Sequence, residues 1–161
     1  MAIAACEAFD TLTPPVSILA TDIDTSVLAV GERGVYPIER VRDLSQARLR
    51  RFFQRGVGAN AGHCRVVEPL RRMISFRQLN LQDRSWPVRG PFAAIFCRNV
   101  MIYFDKPTQE RLLRRFVPLL GTDGLLFTGH SETLFGSAAS LLQSLGRTAY
   151  RRLPERALET A

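Results

Sequence analysis

The sequence predicts an α/β fold: a mainly parallel, Rossmann-like sheet carrying a small inserted antiparallel β-subdomain. Apolar runs of strand length, at residues 16–23, 74–81, 92–97 and 125–130, alternate with helix-forming stretches, which is the order of βαβ units. The run at 92–97 is apolar throughout, as strands covered on both faces are, that at 16–23 is mostly apolar, and that at 74–81 alternates. Between the first two runs, residues of about 35–73 abandon this pattern for a Pro37 turn, an arginine-rich amphipathic stretch and a cluster of Gly56, Gly58 and Gly62. That segment reads as an insertion rather than a βα unit.

Taken in order, a first short helix ends at Pro14-Pro15, and the strand at 16–23 closes on Asp22. Asp24 is placed to cap the next helix, because its carboxylate can accept from the free N–H groups of the turn from Thr25 to Leu28. That helix should stop near Gly31 to Gly34. Within the insertion, an arginine-rich helix is expected from about Ser45 to Arg55, followed by the glycines and a return through Cys64-Arg65-Val66-Val67. The run from Ile74 to Leu81 is a strand, and residues 83–91 form a turn-rich link to the strand beginning at Phe92.

A further helix begins near Lys106, with Asp105 as cap and Pro107 in the first turn, where a missing N–H costs nothing. Leu112, Leu113, Phe116 and Val117 form its buried stripe, Pro118 weakens its last turn, and Gly121 ends it. The strand at 125–130 opens into Ser131 and Glu132, and a last strand from Arg147 to Leu153 can hairpin with Leu141 to Leu145.

Composition bounds the function. The chain of 161 residues is 46% hydrophobic and 23% charged, a globular balance for one domain. No apolar run approaches the ~20 residues of a membrane helix, and the alanine-rich start lacks the basic flank of a signal peptide; a cytoplasmic protein without membrane insertion is expected. Cys6, Cys64 and Cys97 are odd in number and scattered, and His63 and His130 complete no ligand spacing, so neither a disulfide framework nor a metal site is expected. The net charge of +7 comes from arginine, Lys106 being the sole lysine. Solvated helix and strand faces explain that pattern as well as a polyanion partner does, and no nucleic-acid partner is expected.

The chemistry concentrates at the carboxyl ends of the strands, where open α/β sheets bind ligands. The run Phe92-Ala93-Ala94-Ile95-Phe96-Cys97 passes without a break into Arg98 and Asn99 and then into Met101-Ile102-Tyr103-Phe104. Asp22 ends the first strand and Asn80 the second. A carboxylate at such an end can hold the two ribose hydroxyls of a nucleotide, because its two acceptors match a cis-diol; it can equally be a turn acid. Parallel strands bring Asp22, Asn80, Arg98 and Asn99 to one rim, and the expectation is that they gather around a single adenosine. Tyr103, read from its residues alone, is an amphipathic tyrosine at the edge of the core.

Five segments, Ala20-Thr21-Asp22-Ile23-Asp24-Thr25, Gly34-Val35-Tyr36, Leu79-Asn80-Leu81, Phe96-Cys97-Arg98-Asn99-Val100-Met101-Ile102-Tyr103-Phe104 and Phe127-Thr128-Gly129-His130-Ser131-Glu132, resemble in order and spacing the successive motifs of CheR-type chemotaxis receptor methyltransferases. The resemblance covers nearly the whole chain. It implies a Rossmann-like methyltransferase sheet over residues 1–161, S-adenosylmethionine as methyl donor, with S-adenosylhomocysteine as product, and glutamate side chains of methyl-accepting chemotaxis receptors as acceptors, giving methyl esters. It further implies that Asp22 holds the ribose, that Asn80 and Leu81 lie beside the adenine, that Arg98 and Asn99 line the cofactor pocket, and that Tyr103 sits near the methyl group and the incoming glutamate. His130, Ser131 and Glu132 match a family motif without an implied role. The inserted subdomain corresponds to one that in some members docks a receptor carboxyl-terminal peptide by strand addition.

Against the family pattern, the helical amino-terminal domain, the first strand and its glycine-rich acidic loop do not appear, so the sheet is expected to be incomplete and this stretch alone to bind cofactor poorly, with unpaired strand edges that favour association. A non-catalytic module that binds receptors or signalling proteins is the alternative. A nicotinamide-dependent dehydrogenase would need a glycine fingerprint not visible here.

Overall fold

A computed structural model of the chain describes residues 1–130, 132, 134 and 136–154, which pack as two units, Met1–Trp86 and Pro87–Ala161. Among the described residues, no helix is long and apolar enough to cross a membrane. The α/β fold class holds: both units pair parallel strands beside helices.

The first unit opens with helix α1 (Ala2–Ala8). It stops well before Pro14-Pro15, contrary to the sequence expectation, because Asp10 adopts a left-handed φ of 45°. The Thr11 N–H then donates to the Cys6 carbonyl at 3.0 Å and the Asp10 N–H to that of Glu7 at 3.3 Å. This pair of bonds satisfies the helix's last carbonyls without help from proline. Strand β1 (Ile18–Asp22) follows, shorter than the predicted 16–23, and then α2 (Thr25–Arg33). Asp24 caps α2 by accepting from the Ser26 N–H at 2.7 Å, and Gly34, at φ 61°, ends it, a conformation that costs glycine nothing.

The insertion supplies β2 (Val35–Pro37), α3 (Gln46–Phe52), β3 (Phe53–Arg55) and β4 (His63–Val66). Its strands form an antiparallel sheet in the order β2-β4-β3. The arginine-rich helix therefore ends at Phe52 rather than Arg55: Phe53, Gln54 and Arg55 pair with Val66, Arg65 and Cys64 of β4, and tertiary pairing overrides helical propensity. Helix α4 (Glu68–Arg72) leads into β5 (Ile74–Gln78), which runs parallel to β1 from Ile18↔Ile74 to Asp22↔Gln78.

Cys6, Phe52 and Leu70, from α1, α3 and α4, are fully buried together, ringed by Ile3, Leu12, Phe53, Val66, Val67 and Met73. Helix α2 lies so close on β5 that a Cβ at Gly31 would run into the Phe76 ring. The two ends of the insertion are joined at their base. The Val66 N–H donates to the Gly34 carbonyl at 2.9 Å, and Arg71 reaches from α4 to the Glu32 carbonyl at 3.4 Å and the Glu68 carboxylate at 2.8 Å.

In the second unit, β6 (Phe92–Cys97) runs parallel to β7 (Leu120–Thr128), and a hairpin of β8 (Leu142–Ser144) and β9 (Ala149–Arg152) adds antiparallel, in the order β6-β7-β9-β8. Helix α5 (Lys106–Phe116) crosses between β6 and β7. Its cap is Asp105, which accepts from the Thr108 N–H at 3.0 Å, and Leu112, Leu113, Phe116 and Val117 are its buried face. The helix ends five residues before Gly121. Pro118 lacks the N–H that would continue the ladder, so Val117–Leu119 tighten into a 3-10 turn and β7 begins at once at Leu120. The irregular stretch falls inside β7 instead, where Asp123 takes φ 59° and the register jumps from Phe92↔Leu120 to Ala94↔Leu125.

Leu126, at 0% exposure, is the centre of this unit's sheet, and its truncation to alanine removes buried surface and leaves a cavity. Urea denaturation of Leu126→Ala should show a loss of about 2–5 kcal/mol. The Asp105 carboxyl is held below the usual carboxylate range chiefly by its hydrogen bond to Thr108. Its contribution is thus present above its unfolded value of 3.8 and fades as pH falls through the lower folded value. Asp105→Asn, which caps equally well but does not titrate, should keep its neutral-pH stability while softening the acid limb of a stability-versus-pH curve.

Candidate functional site

Parallel pairing fixes where polar residues appear, since both strands of a pair end on the same side. In the first unit that side carries Asp22 and Asn80. Asp22 is the last residue of β1; its carbonyl accepts from the Leu79 N–H at 2.9 Å, and its Oδ1 accepts from the Asp24 N–H at 3.0 Å. The turn-acid role considered for Asp22 is therefore real, and it orients the carboxylate at the mouth of the turn into α2. Asn80 stands two residues beyond β5. Its Oδ1 accepts from the Gln82 N–H at 2.9 Å, which leaves the NH2 half of the amide as the donor, and the half-buried Leu81 follows it in the same turn.

In the second unit, β6 ends at the buried Cys97, and the exposed Arg98 and Asn99 follow. Asn99 sits at φ 59°, a left-handed conformation that asparagine tolerates better than most residues. The chain then makes a 3-10 turn over Met101–Tyr103. Met101 is buried beneath this turn, and Gln109 of α5 donates from Nε2 to both the Met101 and Phe104 carbonyls at 2.9 Å. Tyr103 is 80% exposed. The core-edge role read from its residues alone is thus not the one it plays: the ring is largely open, next to the half-exposed Ile102.

The residue that sequence reasoning left without a role is Glu132. It is 6% exposed, and its carboxylate accepts from three backbone N–H groups: Asn99 at 3.2 Å, Ile102 at 3.3 Å and Gly129. Gly129 is obligatory there by space, because a Cβ would meet Asn99 Oδ1 and Glu132 Oε2 at 2.7 Å each. The place of Glu132 just after a buried strand, in a segment that matches a family motif, was the hint in the sequence. Its three partners come from three separate segments, so no local pattern announces them. His130 is exposed, and Ser131 lies outside the described residues.

Comparison with known proteins gives these rims their context. The family described as CheR methyltransferase, SAM binding domain, matches residues 1–151. A chemotaxis protein methyltransferase 2 of Pseudomonas aeruginosa is 53% identical over 150 residues, covering 93% of this chain and 53% of the relative. The chemotaxis protein methyltransferases of Klebsiella aerogenes and Escherichia coli are 51% and 48% identical over 133 residues, each covering 83% of this chain and 46% of the relative. The chain spans about half the length of the relatives it matches.

Burial, seconded by the charge of Glu132, pushes the Cys97 thiol up to about 12. The thiolate is the reactive form, so iodoacetamide at about pH 8 should leave Cys97 unmodified in the native protein and alkylate it in urea, as read by peptide mass mapping. Because the folded value lies above the unfolded 9.0, the stability associated with this thiol is intact below pH 9 and is lost as pH rises toward 12.

Proposed function

The chain belongs to the CheR methyltransferase family through its S-adenosylmethionine-binding domain, and on that premise we propose that the protein methylates glutamate side chains of methyl-accepting chemotaxis receptors, giving glutamate methyl esters. The observation that carries the reading is the family match over residues 1–151, joined to relatives whose names state methyl transfer in chemotaxis.

The donor chemistry of Asp22 and Asn80 fits a nucleoside cofactor. Asp22, with Oδ1 already engaged by the Asp24 N–H, offers Oδ2 to the ribose diol. Asn80 supplies an amide donor to the adenine, and Leu81 an apolar surface for the ring. Arg98 and Asn99 line the cofactor pocket, and Tyr103 attends the acceptor glutamate. When bound, S-adenosylmethionine supplies a methyl group on a positively charged sulfur, which leaves with the electron pair of the S–CH3 bond as the new O–CH3 bond forms.

The protein's own side chains are asked for little acid–base work. A glutamate of ordinary pKa, about 4.3, is already an anion at neutral pH and needs no general base. What the residues supply is orientation and exclusion of water, because carboxylate and sulfonium neutralise one another as they react. Arg98 is suited to steering the acceptor carboxylate, provided it does not hold the ground state too tightly. The antiparallel sheet of the insertion has β2 and β3 as its outer strands, and their outer edges suit a receptor carboxyl-terminal peptide added as a further strand.

Incubating the full-length protein with methyl-labelled cofactor and receptor cytoplasmic fragments should place label on the receptor, released as methanol by mild alkali as an ester requires. Absence of incorporation would overturn the reading. Asp22→Ala should weaken S-adenosylhomocysteine binding about tenfold by calorimetry, a loss of the size expected for a charged hydrogen bond.

A further inference from the structure

Glu132 is a buried carboxylate that the chemistry above does not use. Its geometry is divided between its two oxygens: Oε2 accepts from the N–H groups of Asn99 and Gly129, and Oε1 from that of Ile102. Backbone donors buried without partners are costly, and a carboxylate offers enough lone pairs for all three. The loop after β6 needs such support. Asn99 is held in a left-handed conformation, which persists only where its surroundings enforce it. Ile102 and Tyr103 are 50% and 80% exposed, so packing of their own side chains does little to fix the turn that carries them. Met101 anchors it from below, Gln109 donates to the Met101 and Phe104 carbonyls, and Glu132 accepts from the N–H groups of Asn99 and Ile102.

We propose that Glu132 is a positioning residue that sets the two ends of this loop separately, Oε2 fixing Asn99 and with it the side that meets the cofactor, Oε1 fixing Ile102 and with it the turn that presents Tyr103. The proposal rests on the roles given above to Arg98, Asn99 and Tyr103. It makes an asymmetric prediction for Glu132→Gln. The carbonyl oxygen of the glutamine belongs at the Oε2 position, where two N–H groups converge, and its NH2 then faces the Ile102 N–H, donor against donor. Only the Tyr103 end of the loop is released. Glu132→Ala releases both ends and leaves a space, lined by three N–H groups, that suits a small carboxylate.

The test uses the full-length protein. Amide hydrogen exchange by NMR should show protection lost at Ile102 and kept at Asn99 and Gly129 in Glu132→Gln, and lost at all three in Glu132→Ala. In turnover, Glu132→Gln should lower kcat for receptor methylation about 100-fold, the effect of a displacement near 1 Å, with S-adenosylhomocysteine affinity changed less than about threefold; Glu132→Ala should lose both. Formate should recover at least about tenfold of the alanine variant's kcat, which a loss of general stability would not allow. Unchanged exchange at Ile102 in Glu132→Gln, equal losses of kcat and affinity in that variant, or native behaviour of Glu132→Ala would overturn the proposal. If Glu132→Ala does not fold, the glutamine variant alone decides. If the unaltered protein binds S-adenosylhomocysteine yet methylates no receptor fragment, the functional reading fails, while exchange and affinity still report on Glu132.

Discussion

Two strands in a parallel ladder must finish on the same side, and the segments that return the chain between them must lie outside the ladder. The pairing of β1 with β5 and of β6 with β7 therefore decides which residues can take part in chemistry at all. It delivers Asp22 and Asn80 to one rim and Arg98, Asn99, Gly129 and Glu132 to another, while the returning segments carry the insertion in one case and α5 in the other. The residues at these rims need not be reactive. They need to be polar, correctly spaced and firmly held, which is the demand made by the proposed reaction, in which the carboxylate is already ionised and the donor already activated.

What could be read from the sequence were the features written locally. Asp24, Asp105 and Gly34 end or begin helices through contacts within a few residues, and they do so where expected. The apolar stripe of α5 was likewise legible from its spacing. Boundaries decided by distant partners were not. Proline looked sufficient to stop α1, yet a left-handed Asp10 stops it sooner. The arginine-rich helix looked able to reach Arg55, yet β4 claims Phe53 to Arg55 for a ladder. Of the candidate site residues, Asp22 ends β1 and Arg98 and Asn99 follow β6 as expected, while Asn80 falls two residues beyond the end of β5. The exposure of Tyr103 and the anchoring by Glu132 were not legible, because each depends on how a loop is seated by groups remote in the chain.

Several of the arginines have carboxylate partners in the structure. Arg48 pairs with Glu7 across α1 and α3 through two bonds of 2.7 Å, Arg51 reaches Asp10, Arg71 and Arg72 share Glu68, and Arg114 pairs with Glu110. Glu110 also accepts from the N–H and hydroxyl of Ser137. The Arg48 and Arg51 pairs tie α3 to α1 and the turn after it, while the others lie within α4 and α5; guanidinium groups suit both tasks because their several donors can serve two acceptors at once.

The joined base of the insertion has a consequence for how such a chain can change. Gly34 and Val66 are hydrogen-bonded to each other, and Arg71 latches across the same junction, so whatever lies between them is closed off as a loop with fixed feet. Phe52 from within that loop is part of the buried core, so the freedom lies in the turn between β3 and β4, where Val57 is 79% exposed and lengthening the loop alters its closure entropy only slowly. The insertion is in this sense anchored from within and open only at its tip: α3 and β4 are held to the core beneath them, and the turn that joins β3 to β4 is the part left free to vary.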